Sequence, residues 1–443
     1  MANPSSPSPS PSSGAPAGPG ALEWHAPTLV RTDERTTIPA LLRARVSRSA
    51  DRPLIARKQE MSEVWRTMTA QDFSEEVESV ASGLIGMGLE PGERVAIMSR
   101  TRYEWTLLDF ACWAAALVPV PIYETSSAEQ IGRILTDADA RLVVAETITM
   151  AELVRAAVAS AGREGTRVLS LDTEAIRTII EAGRSAPDSA VTERTDSLTT
   201  SSLATIVYTS GTTGTPKGTV LSHGNFTDLC VNSHQWMPEI AMGRDSRLLL
   251  FLPLAHVFAR FLELFQISGE GVIGHAPDTR NLLSDLASFR PSYLLVVPRV
   301  LEKIYNSADA RAGSTSARKV FRWAAKIAVD YSRALDSPAG PSRALRARRA
   351  VADRLVYQRI RALVGGRADW IISGGAPLSQ RLAHFYRGLG IPVLEGYGLT
   401  ETVGPVSVNT PRLTKIGTVG PPLPPVAVRV AEDGEILLKG PSV

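Results

Sequence analysis

Short apolar runs alternate with longer helical patterns along most of this 443-residue chain. The first such runs are residues 94–99, 117–122, 142–145 and 168–171. Helical stretches such as residues 70–88 repeat apolar side chains every three or four positions. Helix-length connections between apolar strands are typical of a mostly parallel sheet that is covered on both faces. The alternation therefore predicts an α/β fold.

The same pattern resumes after residue 200. The apolar runs there are residues 204–208, 248–252, 293–297, 370–373 and 392–394. Several of these predicted strands are followed by turns rich in glycine or proline. Open α/β sheets bind their ligands at the carboxyl ends of the strands, so these turns are the expected position of a ligand site.

Composition divides the chain into regions. Residues 1–20 hold six prolines, six serines and no charged residue, which predicts a disordered tail that we bound at residues 1–22. Residues 23–443 are globular in composition, with a predicted helical insertion at about residues 300–364. From about residue 414 to 443 the pattern becomes short strands and turns, which predicts the start of a β-rich subdomain.

Charge and cysteine content exclude several classes of protein. The net charge of +3 gives no electrostatic case for a nucleic-acid partner. Cys112 and Cys230 are far apart and lack metal-ligand spacing, which favours a reducing compartment over a disulfide framework. No apolar run approaches the length of about 18 residues that a membrane helix needs, and no secretory signal is evident. We therefore expect a cytoplasmic protein.

Residues 342–364 form a strongly basic predicted helix. This segment carries seven arginines and one acidic residue, Asp353. One interpretation is a solvated helix face. The other is a surface that meets anionic lipid or a phosphorylated ligand, which would place the protein peripherally at the inner face of the membrane. The sequence leaves both open, and it leaves the oligomeric state open as well.

A phosphate-binding pattern follows the predicted strand at residues 204–208. Residues 208–218 read Y-T-S-G-T-T-G-T-P-K-G. Glycines allow close approach of the backbone to a ligand, and the hydroxyl groups and Lys217 suit a polyphosphate. The pattern is not a Walker A loop, because Pro216 stands where that motif requires glycine.

This pattern and three later ones resemble the adenylate-forming enzymes, which include acyl-CoA synthetases, luciferases and adenylation domains of peptide synthetases. The later segments are L-P-L-A-H-V-F-A-R at 252–260, S-G-G-A-P-L at 373–378 and G-Y-G-L-T-E-T at 396–402. The resemblance spans roughly residues 35–443. V-P-R-V-L-E-K-I-Y at 297–305 and the predicted helical insertion make the chain most similar to bacterial long-chain fatty-acid–CoA ligases.

The resemblance implies the large N-terminal domain of such an enzyme, with two mostly parallel sheets flanked by helices and the start of a β-rich subdomain. It implies that a long-chain fatty acid reacts with ATP and Mg²⁺ to give acyl-AMP, and that coenzyme A then displaces AMP. Alternatives are a ligase that passes the acyl group to a carrier protein, a ligase for another carboxylic acid, and an inactive nucleotide- or lipid-binding fragment.

The resemblance also implies roles for individual residues. Those implied in catalysis are Thr209, Lys217, His256, Thr400 and Glu401, of which Thr209 and Glu401 would ligate Mg²⁺. Those implied in nucleotide binding are Thr209, Ser210, Gly211, Thr212, Thr213, Gly214, Lys217, Gly374, Gly375, Ala376, Gly396, Tyr397, Gly398 and Thr400. Those implied in fatty-acid binding are His256, Arg260 and Gly398. For His256 a structural hydrogen bond is the alternative, and for Arg260 an ion pair with an acid such as Glu263.

The sequence departs from the family pattern at its end. Relatives continue with a T-G-D segment, a hinge and a small C-terminal swinging domain that carries a lysine for adenylation, and none of these is found in the 443 residues. We therefore expect a truncation or an incomplete gene model, with an intact ligand site and impaired turnover.

Overall fold

The computed structural model describes residues 22–59, 62–209, 216–311 and 314–443. The strands of the described residues, in chain order, are β1 (Leu22–His25), β2 (Pro53–Lys58), β3 (Trp65–Thr69), β4 (Arg94–Met98), β5 (Val118–Ile122), β6 (Ala140–Ala145), β7 (Arg167–Ser170), β8 (Leu203–Thr209), β9 (Lys217–Ser222), β10 (Arg247–Leu250), β11 (Val272–His275), β12 (Tyr293–Val296), β13 (Trp370–Ser373), β14 (Val393–Leu399), β15 (Gly404–Val408), β16 (Ala427–Val430) and β17 (Ile436–Lys439).

The α-helices in the same residues are α1 (Ile38–Ser49), α2 (Ala70–Gly86), α3 (Tyr103–Ala114), α4 (Ala128–Asp137), α5 (Ile148–Ser160), α6 (Ala175–Ala182), α7 (Ala190–Ser197), α8 (His223–Trp236), α9 (Pro238–Ala241), α10 (Val257–Ser268), α11 (Leu282–Phe289), α12 (Pro298–Arg311), α13 (Thr315–Leu335), α14 (Arg343–Ala352), α15 (Gln358–Leu363) and α16 (Gln380–Leu389). No helix in the described part of the chain is both long and apolar enough for a bilayer crossing.

Two sheets with mostly parallel strands form the frame of the molecule. The larger has the order β15-β14-β13-β12-β10-β11-β2-β3, in which only the outer pairs β14–β15 and β2–β3 are antiparallel. The smaller is the parallel sheet β5-β4-β6-β7. Strands such as β10 and β12 are apolar on both sides because helices cover both faces. The predicted α/β fold with two such sheets is confirmed.

Strand β8 differs from the expected parallel arrangement. It forms an antiparallel two-stranded hairpin with β9, although it lies beside β5. The Thr205 hydroxyl donates to the Pro119 carbonyl of β5 at 2.7 Å. Within a strand, the N–H and C=O of one residue point to the same side, so Pro119 and Pro121 face β8 without an N–H to offer. The small parallel sheet therefore ends at β5.

The basic segment at 342–364 is helical, as predicted. It consists of α14, a π-helical stretch at Asp353–Tyr357, and α15. The Ser342 side chain caps the first turn by accepting from the Leu345 amide. The hydroxyl of buried Tyr357 donates a hydrogen bond to the Ala324 carbonyl of α13 at 2.7 Å, which links the π-helical stretch to α13.

The third sheet of note joins the two ends of the described chain. Strand β1 pairs antiparallel with β16, which pairs with β17, and Leu22 lies opposite Val430. The strand pattern predicted after residue 414 is therefore present, and it takes up β1 as a partner. Residues 1–21 of the tail predicted at residues 1–22 lie outside the described residues, and the bound at residue 22 was wrong because Leu22 begins β1.

Candidate active site at the carboxyl ends of the strands

The β8–β9 hairpin brings the two described ends of the predicted phosphate segment together. Thr209 lies opposite Lys217 in the register of the two strands. Thr209 is half-buried and Lys217 is exposed. Residues 210–214, which include the predicted Ser210, Gly211, Thr212, Thr213 and Gly214, lie outside the described residues. The hairpin thus places a hydroxyl and an ammonium group at one end.

Side-chain hydrogen bonds fix the hairpin on its neighbours. The Tyr208 hydroxyl donates to Asp137 Oδ2 of α4 at 2.6 Å, and Trp113 Nε1 of α3 donates to the Ala204 carbonyl at 2.8 Å. Burial and the adjacent Asp137 carboxylate both raise the pKa of the Tyr208 hydroxyl. The hydroxyl therefore remains a hydrogen-bond donor at neutral pH.

A glycine turn follows strand β13. Gly374 is buried, and a Cβ there would lie 3.3 Å from the Phe258 ring of α10, whereas Gly375 and Ala376 are exposed. Gly375 has φ +79°, a backbone conformation that favours glycine. The turn is held by Glu395 of β14, whose Oε1 accepts from the Leu378 amide at 2.9 Å.

The end of β14 lies beside the glycine turn and forms a second wall of the candidate site. The register with β15 shifts between Tyr397 and Gly398, which is a β-bulge. A Cβ on Gly398 would lie 1.6 Å from the Gly404 carbonyl oxygen, so glycine is required at this position. Tyr397 and the adjacent Gly396 are half-buried, and Gly396 lines an apolar cavity. The bulge therefore sets where Tyr397 stands at the strand end.

The 3₁₀ turn Thr400–Thr402 follows directly. Thr402 Oγ1 donates to the Gly404 carbonyl at 2.9 Å and accepts from the Leu399 amide at 3.0 Å, which closes the turn. Glu401 at its centre is exposed and Thr400 is half-buried. Strand β9 packs against this turn, so the strand that begins at Lys217 lies beside the turn that carries Glu401.

His256 is the N-cap residue of α10. Its Nδ1 accepts from the Phe258 amide at 3.2 Å, while the imidazole keeps contact with solvent. Partial burial lowers its pKa, which favours the neutral ring. The loop before it is anchored by Thr101, whose hydroxyl donates to the Leu252 carbonyl at 2.6 Å. His256 and Phe258 therefore belong to the same side of the site as the Gly374 turn.

Arg260 does not face the site surface. Only 2% of it is exposed, and its Nη2 lies 2.9 Å from Asp109 Oδ2 of α3. The predicted alternative partner Glu263 instead accepts a hydrogen bond from the Thr106 hydroxyl. Burial raises the pKa of the Asp109 carboxyl to about 7, although the Arg260 charge opposes that shift. Arg260 therefore pairs with an acid, which is the alternative that the sequence left open, but the acid is Asp109 and not the example Glu263. A role of Arg260 in fatty-acid binding stays a prediction.

An apolar cavity lies behind Gly396. Its lining includes Met237, Phe258, Phe261, Phe265 and Gly396. The volume of about 20 Å³ is comparable to one water molecule. An apolar chain can occupy this space only when the surrounding side chains move.

Two residues that shape this region were not identified from sequence. Glu395 holds the glycine turn, and Phe258 packs against Gly374. Both lie within or next to the matched segments, but their partners are distant in sequence. Asp109, the partner of Arg260, is a third, and its sequence signal is a single acid within the otherwise apolar residues 107–114 of α3.

Comparisons with known proteins identify the family. The family model described as AMP-binding enzyme matches residues 42–443. The chain is 43% identical over 379 residues to the long-chain-fatty-acid–CoA ligase FadD15 of Mycobacterium tuberculosis, covering 85% of this chain and 63% of that protein. It is 29% identical over 445 residues to the mouse long-chain-fatty-acid–CoA ligase 6, covering 93% and 62% respectively.

Solved structures show the same fold. The inhibitor-bound N-terminal domain of FACL13 from Mycobacterium tuberculosis matches with a TM-score of 0.68 and 22% identity, covering 92% of this chain and 89% of that one. The chain spans less than two thirds of the length of the curated relatives named above. Because the family model covers nearly all of the described residues, the chain belongs to the AMP-binding enzyme family.

Proposed function

We propose that this protein activates a long-chain fatty acid with ATP, forming acyl-AMP and pyrophosphate, and that coenzyme A then displaces AMP to give acyl-CoA. The observation that carries the proposal is the packing of β9, which begins at Lys217, against the turn that carries Glu401. The 43% identity to a protein named long-chain-fatty-acid–CoA ligase supports the choice of acid.

The first half-reaction brings a carboxylate against a phosphate, so the protein must hold and neutralise negative charge. We assign the β- and γ-phosphates to Thr209, Lys217 and residues 210–214, and the α-phosphate to Thr400. Exposed Glu401 fits Mg²⁺, which in nucleotide sites is commonly held by one or two carboxylates together with phosphate oxygens. When bound, the ion would shield the phosphate charges, and the Thr209 hydroxyl is a further candidate ligand.

We assign the adenine to the slot between the glycine turn and β14. Gly375 and Ala376 are exposed and small, so a flat base can approach the backbone there. Half-buried Tyr397 supplies an aromatic face for stacking. Gly374, Gly396 and Gly398 would shape the slot through their backbone.

We assign the fatty-acid carboxylate to the space between His256 and Gly398, and the acyl chain to the apolar cavity behind Gly396. His256 would position the carboxylate as a neutral hydrogen-bonding group, consistent with its lowered pKa. The cavity lining of phenylalanines and Met237 suits an apolar chain. Its small volume predicts that binding of the acid requires displacement of these side chains.

We propose that residues 23–443 form one adenylation domain, within which residues 300–364 are a helical insertion and residues 414–443 a β-rich part. We further propose that the basic helical segment meets an anionic membrane surface. Arg348, Arg354 and Arg359 are exposed on it, and exposed Val351 and Leu355 lie on the same helical face. Arginines around a small apolar patch suit anionic headgroups above acyl chains.

The test is pyrophosphate release by the purified 443-residue chain with ATP, Mg²⁺ and fatty acids of graded length, with and without coenzyme A. Release that depends on a long-chain acid is expected, and release with an aromatic or short acid alone would reject the assignment of substrate. Thioester formed with coenzyme A would exclude the carrier-protein ligase. Failure of the chain to bind ATP would favour an inactive lipid-binding fragment.

A further inference from the structure

A fully enclosed arginine joins helix α10 to the β8–β9 hairpin. Arg260 pairs through Nη2 with Asp109 at 2.9 Å, and its Nη1 donates to Thr205 Oγ1 of β8 at 2.6 Å. The Asp109 carboxylate compensates the buried charge, and Thr205 accepts from one donor, whereas Nε and Nη2 make no hydrogen bond within the described residues. These two contacts link α10 to α3 and to β8.

Strand β8 depends on such side-chain contacts because β5 offers it no ladder donors. The edge of β5 that faces β8 carries Pro119 and Pro121, and the Thr205 hydroxyl donates to the Pro119 carbonyl. Trp113 Nε1 adds a bond to the Ala204 carbonyl. The position of β8 therefore depends on hydrogen bonds at Thr205 and Ala204 and on the bond from Tyr208 to Asp137. Arg260 donates to the Thr205 hydroxyl.

The helix that carries Arg260 also borders the proposed substrate side of the site. Helix α10 begins after His256, and its first turn carries Phe258, which packs against Gly374. Arg260 lies on the same first turns of the helix. Thr205 lies four residues before Thr209 on β8. One short stretch of helix thus connects the His256 loop to the strand that leads into the phosphate segment.

We propose that the Arg260–Thr205 hydrogen bond positions the β8–β9 hairpin, and with it Thr209 and Lys217, relative to the wall formed by His256 and Gly374. This inference rests on the proposed function, because it assigns the hairpin to the β- and γ-phosphates of ATP. Arg260 is a positioning residue in this scheme and touches no substrate. Loss of the bond should weaken contacts to those phosphates and spare contacts to the adenosine and α-phosphate.

The test compares ATP with AMP, which lacks the β- and γ-phosphates. Thr205→Val removes the hydroxyl at nearly constant volume and leaves the Arg260–Asp109 pair in place, while Thr205→Ser keeps a hydroxyl. Thr106→Val is the matched control, because Thr106 is equally buried and contacts Glu263 and His275 but not β8. Dissociation constants for ATP and AMP are measured on each 443-residue variant.

We expect Thr205→Val to weaken ATP binding about three- to ten-fold, as for loss of one hydrogen bond, with AMP binding within about two-fold of the unmodified chain. Thr205→Ser and Thr106→Val should keep the original ATP-to-AMP ratio. Arg260→Lys keeps the charge beside Asp109 but cannot bridge to Thr205, so it should reproduce the selective loss even if Thr205→Val folds poorly.

Equal losses for ATP and AMP, or the same loss in Thr106→Val, would overturn the inference and indicate general destabilisation. Unchanged ATP binding in Thr205→Val would also overturn the inference. Absence of ATP binding by the unmodified chain would instead reject the proposed function, so the two failures are distinguishable.

Discussion

Thr209 and Lys217 lie directly opposite each other across the antiparallel strands β8 and β9. Side chains of opposed residues project from the same face of a two-stranded pair. The hydroxyl and the ammonium group therefore project from one face of the hairpin, and strand β9 of this hairpin packs against the turn that carries Glu401. A hydroxyl, an ammonium group and a carboxylate suit a polyphosphate with a divalent cation.

The first prediction concerns Lys217. Lys217→Ala should weaken ATP binding by about 10-fold or more, because a hydrogen bond to a charged group contributes more than a neutral one. AMP binding should change little, and Lys217→Arg should retain part of the affinity. Lys439→Ala, in another antiparallel strand, removes an exposed lysine far from the site in sequence and serves as control. Equal affinities for ATP in Lys217→Ala and Lys439→Ala would reject the phosphate assignment.

The second prediction concerns Glu401. Glu401→Gln keeps the size of the side chain but removes the negative charge, so the Mg²⁺ concentration for half-maximal ATP binding should rise about 10-fold or more. ATP binding is titrated against Mg²⁺ for this variant and for Glu435→Gln, which neutralises an exposed carboxylate beside β17. An unchanged Mg²⁺ requirement in Glu401→Gln would show that the ion is held elsewhere.

Much of the fold could be predicted from local pattern. Buried parallel strands are apolar throughout, so β10, β12 and β13 stand out from the helices between them, and their observed bounds differ from the predicted ones by at most two residues. The antiparallel pairing of β8 could not be predicted locally. It depends on Pro119 and Pro121 facing β8, and nothing near β8 in sequence shows which edge it will meet.

The candidate site could likewise be predicted only in part. Each of its four segments is a continuous stretch of sequence, so each could be located from sequence alone. The contacts that hold them are between distant residues, such as Glu395 with the Leu378 amide and Arg260 with Asp109. Arg260 was assigned to substrate because of its segment, and its burial became evident only when α3 and α10 were placed together. A charged residue within an apolar helix indicates that an ion-pair partner exists, but the local sequence does not identify the partner residue.

The third prediction tests the bulge at Gly398. Gly398→Ala would place a Cβ 1.6 Å from the Gly404 carbonyl oxygen, so β14 and β15 must separate locally. Overpacking of this kind typically costs about 1–3 kcal/mol, and here it would shift Tyr397 and Glu401. ATP affinity and the free energy of unfolding should both fall. Gly243→Ala is the control, because no atom lies within 4 Å of its added Cβ. Normal ATP binding in Gly398→Ala would contradict the assigned role of the bulge.

The fourth prediction concerns acid sensitivity. His223 is fully buried, its Nδ1 accepts from the Ile38 amide at 3.3 Å, and burial lowers its pKa to about 3. In the unfolded chain the imidazole takes up a proton below its ordinary pKa of 6.5, whereas the folded chain resists protonation down to about 3. Its contribution to stability is therefore complete above pH 6.5 and is lost progressively as the pH falls toward 3.

His223→Asn keeps a hydrogen-bond acceptor and removes this titration. Denaturant unfolding between pH 7.5 and 5 should show a flatter loss of stability in the variant, by up to about 1.4 kcal/mol per pH unit. His25→Asn, which changes an exposed histidine of β1, should leave the slope unchanged. Parallel profiles for His223→Asn and the unmodified chain would show that His223 does not govern the acid limb.

The fifth prediction concerns the exposed basic face of α14, the π-helical stretch and α15. Vesicles that contain anionic lipid should bind the chain, and binding should weaken as salt rises, because exposed charges are screened beyond about 10 Å at 0.1 M ionic strength. Vesicles of neutral lipid should bind poorly. Sedimentation of the chain with each kind of vesicle measures the bound fraction.

Arg348, Arg354 and Arg359 should supply much of this attraction. Each basic residue near an anionic surface contributes about 1 kcal/mol, so their joint replacement by glutamine should weaken vesicle binding by about 100-fold. Joint replacement of Arg31, Arg155 and Arg244 by glutamine removes the same charge from exposed positions on separate elements. Net charge alone would give equal losses in the two triple variants, whereas a specific face gives a loss in the first only. Salt-insensitive binding, or no binding at low salt, would favour a solvated helix face.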